Sequence, residues 1–574
     1  MFSDHFIGYW GENNQEKLTQ RRKDAKRREE REGFVFEVVY IGCDDVPELG
    51  GNYIAGISAA GFSDVDIWVK IEDDRLILGR DVFGRVPLFW CCRNNSENHT
   101  VWFASRLDLL LEMMEKREVC ISGLYGYSCF SYVPTPITPV EGVFSVSAGT
   151  EVIFNIHDVD NYEVKKIYQW CESSAQITDE NTAVSQLQVL LKNAVEKQIS
   201  DLKDEPVGVF LSGGLDSSIV AALLVKLGVK VRAYSLDFGE FGISEYPYSE
   251  QVADFLNIPI IKVDASPKNI NLKNAIIPTV KALDLPFGDG VTVPLYLLNK
   301  VAAQETKVIF NGEGGDQLFA GWTNKPLIAA GIYQSEHPNK NEDFIQQYLR
   351  TFHRLYGYES RVYQPEVYQQ ICGLNAQEWL LDGLDTRFCP SLLHRLRRGS
   401  LMLKGAQNIH PRATALSFVH GLNVRSPFCD LNLAEWTFQL SGELCLQGAC
   451  EKYILKRAVE NLLPSEIVWR QKRGMGVPLT SWCIKNFWHD LGNWLNPGIL
   501  EAENIFYPDI AIKIITGELG GHIQGRRIGE MLWLLIMWEL WYFHVFGVQI
   551  KSKSWNHPFL LPNWLWKNYK KLQS

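Results

Sequence analysis

Hydrophobic and polar positions change their rhythm twice along the chain. From Phe34 to about Phe154, short apolar runs are broken by Gly, Asn and Pro: FVFEVVYIG, NYIAGISAAG, VDIWVKI, RLILGRD, PLFWCC, TVWFAS and GTEVIF. That texture predicts strands of a mostly antiparallel sheet domain. Before it, residues 17–32 alternate basic and acidic groups with almost nothing apolar, which predicts a solvated helix or a mobile charged segment. After it, the stretch from His157 to Asn181 is polar and irregular and reads as a linker.

The period then lengthens. Thr182 to Leu202 carries apolar residues at Val184, Leu187, Leu190, Leu191, Ala194, Val195, Ile199 and Leu202, which is helical spacing. Next comes Val207-Gly208-Val209-Phe210-Leu211, a short continuous apolar run, then SGGLDSS, then the helical run IVAALLVKLG. VRAYSLDF, the helix-like YSEQVADFLN, IPIIKVDA, two further helical stretches and TKVIFNG continue the alternation. Strand, turn and helix in repetition imply a doubly wound parallel sheet, with sites at the carboxyl ends of its strands. From about Trp322 onward, helical patterning predicts a cap and a C-terminal bundle. The expected organisation is a charged segment over 1–33, a β-rich domain over 34–165 and an α/β domain over 180–574. Met531 to Val548 is the one stretch that tempts a membrane assignment. Its Glu539, its His544 and its crowd of Trp, Tyr and Phe predict a helix buried in protein instead.

Composition narrows the function classes. With 46% hydrophobic and 22% charged residues in 574, the chain has enough apolar material for large cores. Acidic groups outnumber basic ones, 67 against 57. That balance argues against a nucleic-acid binder that works by neutralising phosphates. The 12 cysteines lack the density of a secreted disulfide scaffold, and Met1 to His5 lacks the look of a secretory leader. A cytoplasmic protein with no membrane partner is the expectation. Cys445 and Cys450 are too widely spaced for the usual zinc knuckle and read as structural thiols.

Ser212-Gly213-Gly214-Leu215-Asp216-Ser217-Ser218 lies between a buried strand and a helix. Its glycines allow a backbone path along which successive amides converge on an anion. The hydroxyls of Ser212, Ser217 and Ser218 and the helix N-terminus add donors and positive potential. This is a phosphate cradle, and Asp216 fits it by holding a divalent cation against the phosphate oxygens. A plain helix cap with a tight turn is the alternative reading. The motif has neither the GxxxxGK[ST] pattern nor a lysine of its own, so it is not a Walker loop. It looks instead like the loop of enzymes that cleave ATP between its α and β phosphates. A second glycine-rich piece, Asn311-Gly312-Glu313-Gly314-Gly315-Asp316-Gln317, follows another β-like run and belongs at the same sheet edge.

Together these motifs resemble the asparagine synthetase family, the synthetase domain of class II amidotransferases. LPFGDGVTVPLY, VRSPFCDLNLAEW, EKYILKRAVENLLPSEIVWRQKRGMGVPLTSW and the upstream RDVFGRVPLFW and FASRLDLLL stand in family order, so the resemblance covers the chain from about Tyr53 onward. The resemblance implies an N-terminal Ntn-hydrolase-like αββα domain, a glutaminase domain in that family, followed by an ATP-pyrophosphatase domain. It also implies a reaction: a carboxylate such as aspartate is adenylated by ATP with Mg2+, and ammonia or an amine then displaces AMP. Asp216 and Asp316 match the magnesium-holding carboxylates. Leu211, Leu236, Asn311 and Gly312 match the nucleotide's surroundings, with Asn311 where Ser is usual. Lys472 matches the lysine that steadies charge on the α-phosphate and the acyl transition state. Glu313 matches a carboxylate that positions or deprotonates the amine, and a homodimer is compatible with the family.

Two departures lie near the site: Asn423 stands where the family block has Glu, and Gln317 replaces the common acidic residue after Asp316. A neutral amide cannot act as a base, so both departures point to an altered aminolysis step or a different acceptor. A larger departure lies at the front. Glutamine-dependent members expose an N-terminal Cys as nucleophile, whereas here position 2 is Phe and the first cysteine is Cys43. No glutamine-binding run like Arg-Leu-Ser-Ile or Asn-Gly-Glu-Ile-Tyr-Asn occurs between Glu30 and Gly61. The expectation is a degenerate glutaminase domain kept as structural support. The competing readings are a specialised amide or macrolactam synthetase of the β-lactam or lasso-peptide type, and a catalytically silent scaffold of the same fold.

Overall fold

The computed structural model describes residues 5–12, 25–31, 34–41, 55–60, 65–95, 98–155, 158–241, 245–321, 341–520 and 525–565. The N-terminal half forms two antiparallel sheets. One orders β2 (Ala25–Arg31), β3 (Phe34–Tyr40), β1 (Phe6–Glu12), β8 (Asn98–Ala104), β7 (Phe89–Asn95) and β9 (Phe144–Ser145). The other orders β11 (Asp158–Lys166), β10 (Thr150–Asn155), β6 (Arg75–Arg80), β5 (Ile67–Glu72) and β4 (Ala55–Ile57). The two sheets meet face to face: Trp90 of the first packs against Phe154 and Tyr162 of the second, with centroids 5.0 and 4.7 Å away. The helix Leu107–Met113 packs beside β7 and β8.

Two expectations are corrected here. The segment over 17–32 is not a free helix or mobile arm where it is described, because β2 pairs with β3 from Ala25 opposite Tyr40 to Arg31 opposite Phe34. With β1 lodged between β3 and β8, the sheet starts at Phe6, so the charged stretch over 1–33 is no separate unit. Residues 13–24 lie outside the described residues. Likewise, the expected linker after His157 begins as β11, which pairs only with β10. Both strands sit at sheet edges, where a strand needs only its backbone partners and tolerates charged faces. Apolar alternation is therefore a blind guide at those positions.

The second half is built on the sheet β14-β13-β12-β15-β16, all neighbours parallel: β14 (Ile260–Asp264), β13 (Val231–Asp237), β12 (Val207–Phe210), β15 (Val308–Phe310) and β16 (Asn423–Arg425). β12 and β15 are short apolar runs with mostly buried side chains, as strands covered on both faces require. The strand order reverses between β12 and β15, and crevices form at the carboxyl ends of such a pair. Helices supply the covering layers. Glu180–Ile199 starts at Asp179, whose carboxylate accepts the amide of Thr182 at 2.7 Å.

Asp284 ties the halves together. At the left-handed end of the helix Ile270–Leu283, its carboxylate accepts the amides of Leu107 and Asp108, capping a helix that its own N-cap residue leaves uncapped. Tyr127 donates to the carbonyl of Leu534 (2.7 Å), the amide of Val424 in β16 to that of Ala59 (2.9 Å), and His410 Nδ1 meets the carbonyl of Phe83 (2.7 Å).

The aromatic stretch near the C-terminus is the helix Arg526–His544, with Trp533, Trp538 and Trp541 fully buried. Among the described residues, no helix is long and apolar enough to cross a membrane. This helix also buries Glu539 completely, facing Glu503 at the end of the helix Pro497–Glu503, and no other donor reaches either carboxyl. Burial pushes both acids up, Glu503 to about 7. The folded chain thus binds more protons than the unfolded chain above the ordinary carboxylate range, so this pair's contribution to stability is lost as pH rises through 7, by about 1.4 kcal/mol per proton and pH unit. The thermal midpoint is expected to fall between about pH 5 and about pH 8, and to fall less steeply in Glu539→Gln. Equal slopes for the two proteins in a melting series would refute this account.

Candidate active site

The crevice at the sheet's reversal holds the glycine-rich loops that leave β12 and β15. The first bends at Gly213, whose φ is 67° and whose absent Cβ would lie 2.5 Å from Cβ of Tyr248. Only glycine fits such a place. The helix Leu215–Lys226 then begins with no side chain capping it, which leaves its first-turn amides facing the crevice. Ser212 and Ser217 hold the loop's shape, their hydroxyls 3.1 Å apart and the Ser212 amide donating to Ser217 Oγ at 3.2 Å. Ser218 departs from expectation: it is fully buried and donates to the carbonyl of Gly214 at 2.8 Å, so it braces the helix start and does not face a ligand. Arg470 braces the loop from outside, 3.9 Å over the ring of Tyr248 and paired with Glu245.

The second loop crosses the first in contact. A Cβ on Gly312 would meet the amide nitrogen of Ser217 at 2.6 Å and Cβ of Asp216 at 2.8 Å. Asn311, at the position where Ser is usual, accepts the amide of Glu313 at 3.1 Å and the hydroxyl of Ser426 at 2.7 Å. Its amide group thus does a turn-forming job inside the loop.

This crossing brings Asp216 and Asp316 to one point. Lys452 Nζ donates to both oxygens of Asp216, at 2.6 and 2.5 Å, and lies 2.5 Å from Oδ1 of Asp316. Lys472 Nζ is 2.8 Å from the other oxygen of Asp316. Four charges therefore alternate in sign along a line that runs from the buried Lys452 pair to the half-buried Lys472. Burial pushes the Asp216 carboxyl up, against Lys452. At Asp316 the same effect of burial is outweighed by Lys452 and Lys472, which hold that carboxyl below the usual carboxylate range. At Lys472, burial is outweighed by Asp316 and Asp216, which hold its ammonium charged above its ordinary range.

Asp316 Oδ1 is buried and has no hydrogen-bond donor, since its contact with Lys452 is an ion pair without hydrogen-bond geometry. Two carboxylates with such an oxygen fit Mg2+, which takes one or two protein carboxylates and completes its shell with phosphate oxygens and water. No group of three His, Cys, Asp or Glu side chains suited to a metal occurs among the described residues.

A cavity of about 590 Å3 opens from this point, lined by Leu211, Ser212, Gly214, Asp216, Ser217, Leu236, Asn311, Gly312, Glu313, Asp316 and Lys472. Gly213 and Ser218 stand behind that wall. Glu313 is raised by burial, with Arg412 pulling the other way. Gln317 and Asn423 are not among the lining residues. Asp289, Lys404 and Arg412 are among the further charged residues on the cavity wall. Arg412 Nη1 pairs with Asp289 at 2.7 Å and donates to Asn408 at 3.1 Å. Asp289 settles below its ordinary range, because burial, which raises it, is outweighed by Arg412 and Lys404.

Sequence reasoning missed Lys452, Lys404 and Arg412. Lys452 stands in EKYILKR with nothing to set it apart from Lys456 and Arg457. Lys404 carried a readable signal, a lone charge within the apolar LMLKGA. It sits in the π-helical run Ser400–Ile409, a geometry frequent at functional sites.

A family model described as asparagine synthase matches residues 186–542, and one described as a glutamine amidotransferase domain matches residues 52–168. Asparagine synthetase [glutamine-hydrolyzing] 1 of Bacillus subtilis is 24% identical over 509 residues, spanning 83% of this chain and 76% of that protein. Asparagine synthetase [glutamine-hydrolyzing] of Homo sapiens is 27% identical over 432 residues, spanning 74% and 64%.

Removing the bridging cation leaves two like charges buried together. Lys452→Met is expected to destabilise the fold by about 3–5 kcal/mol, as breaking one side of a buried ion pair does. Adding Asp316→Asn to Lys452→Met should recover part of that loss in a denaturant titration. Additive losses in the double variant would show that the bridge carries no such coupling.

Proposed function

The chain belongs to the asparagine synthase family, and we propose that it is a carbon–nitrogen ligase that splits ATP to AMP and pyrophosphate and takes its nitrogen from ammonia or an amine. The observation that carries this reading is the meeting of Asp216, Asp316, Lys452 and Lys472 beside an uncapped helix start. An anion cradle next to paired carboxylates suits a polyphosphate and its cation.

In the first step a carboxylate oxygen of the acid bonds to the α-phosphorus while the bond from that phosphorus to the β-bridging oxygen breaks. Pyrophosphate leaves and an acyl adenylate remains. The first-turn amides after Gly214, with the hydroxyls of Ser212 and Ser217, hold the phosphates. Lys472, half-buried and fixed by Asp316, stands over the charge that grows on the α-phosphoryl oxygens, where a preorganised cation acts strongly. Mg2+, held by Asp216 and Asp316, supplies neutralisation of the triphosphate when bound. In the second step the amine nitrogen bonds to the acyl carbon, the bond from that carbon to the AMP oxygen breaks, and the nitrogen gives up a proton. Glu313 lines the same cavity, and its buried carboxyl, a better base than an exposed one, accepts that proton.

Support for a nitrogen source other than glutamine comes from the thiols. Cys92, Cys120, Cys129, Cys389, Cys429, Cys445 and Cys483 are all pushed above the ordinary thiol range by burial, the opposite of what a nucleophile needs. Cys43 lies outside the described residues. At the start of β1, the amide of Phe6 donates to Ser105 Oγ (3.0 Å) and His5 Nδ1 lies 3.2 Å from the same oxygen.

Three results are expected from the purified full chain. ATP turnover yields AMP, Lys472→Ala lowers kcat about 10²–10³-fold, and ammonium supports amide formation while glutamine releases no glutamate. ADP as the nucleotide product would overturn the ligase reading. Glutamate release that follows this protein through purification would overturn the nitrogen assignment.

A further inference from the structure

We infer that the acid adenylated here carries an apolar or aromatic portion, which occupies a second lobe of the cavity beyond Arg412. The inference rests on the amide-ligase reading of the site and names its substrate class. The cavity does not stop at the loops that would hold the nucleotide. Its lining also takes in Phe130, Tyr132, Tyr348, Phe352, Leu403 and Leu416, which pack as one apolar cluster, with Arg354 and Glu530, paired with each other, on the same lining. Two of these come from the N-terminal half, at the end of the helix Ile121–Phe130, where the rings of Phe130 and Tyr132 lie 5.7 Å apart. That end is anchored beside the site because the amide of Gly288 donates to the carbonyl of Ser131 at 2.9 Å. Tyr348 and Phe352 face in from the helix Asn341–Phe352, their rings 4.9 Å apart.

The charges between the two lobes are engaged with one another. Arg412 is held by Asp289 and Asn408, and Asp289 in turn is held by Arg412. Burial brings the Lys404 ammonium down to about 8, with Asp289 opposing, as an apolar surrounding does to a cation. A short polar acid that reached the lobe would shed water against four hydrocarbon side chains, Phe130, Phe352, Leu403 and Leu416, with only the hydroxyls of Tyr132 and Tyr348 to answer it. An alkyl or aryl group gains from the same move. Pockets of this kind discriminate by size, roughly tenfold or more for each methylene missing from the ligand.

The test is acid-dependent exchange of labelled pyrophosphate into ATP by the full chain, with L-aspartate, octanoate and 3-phenylpropanoate as probes. Octanoate or 3-phenylpropanoate is expected to exceed L-aspartate in kcat/KM by about tenfold or more. Leu403→Trp and, separately, Leu416→Trp, each filling the lobe, should lower that value about tenfold for the apolar acid. The ATP dissociation constant measured alongside, unaltered, shows that the nucleotide lobe is intact. Exchange with L-aspartate in preference to both apolar acids, or apolar-acid exchange that neither tryptophan variant lowers, overturns the inference and leaves the ligase reading in place. Exchange with none of the three acids, together with ADP as the nucleotide product, overturns both.

Discussion

Asp216 and Asp316 can share one buried point only because a cation stands between them. Two carboxylates brought out of water repel strongly where the surroundings polarise little, and Lys452 answers that repulsion by touching both. Everything near the site is arranged around that contact. The strand order reverses between β12 and β15, so the loops leaving those strands face each other at one crevice. Gly312 lets them cross at the closeness of backbone contact. Lys452 itself takes a left-handed backbone, φ 57°, directly before the helix Tyr453–Val459, a conformation that an L-residue keeps only where its surroundings hold it. The chain thus accepts backbone strain to put an ammonium group at this point.

What the amino-acid pattern revealed and what it hid divide along one physical line. β12 and β15 are covered on both faces, and such strands leave continuous apolar runs that can be read directly. The loops after them are legible because glycine, serine and aspartate in that order answer to a backbone shape and a charge at once. β2 and β11 are hidden because an edge strand needs only backbone partners on one side, which no side-chain pattern records. Lys452 is hidden for a related reason: its role comes from where the chain returns after more than two hundred residues, and a lysine before a helix looks the same in either role. Ser218 shows the opposite error, a residue of the right type within the right motif whose hydroxyl turns to the helix backbone. The departures at Gln317 and Asn423 drew attention by sequence alone, yet both lie off the cavity wall.

The N-terminal half is more than an appendage to this chemistry, whatever the source of nitrogen. Its loop at Phe83 is bonded to His410, the residue directly after the segment that carries Lys404 and Asn408. Its residues Ala59 and Ala60 accept the amide of Val424 and the guanidinium of Arg425, so the edge strand β16 of the parallel sheet is seated on it. Phe130 and Tyr132 form part of the cavity wall itself. Detached, the synthetase half would expose that wall to water and leave Asp284 with no helix to cap. Water in the cavity would weaken every electrostatic contact on the line from Asp216 to Lys472 and give an acyl adenylate a competing nucleophile. Retention of this half thus follows from its place at the wall, because a site that makes an amide from an activated acyl group has to keep water out.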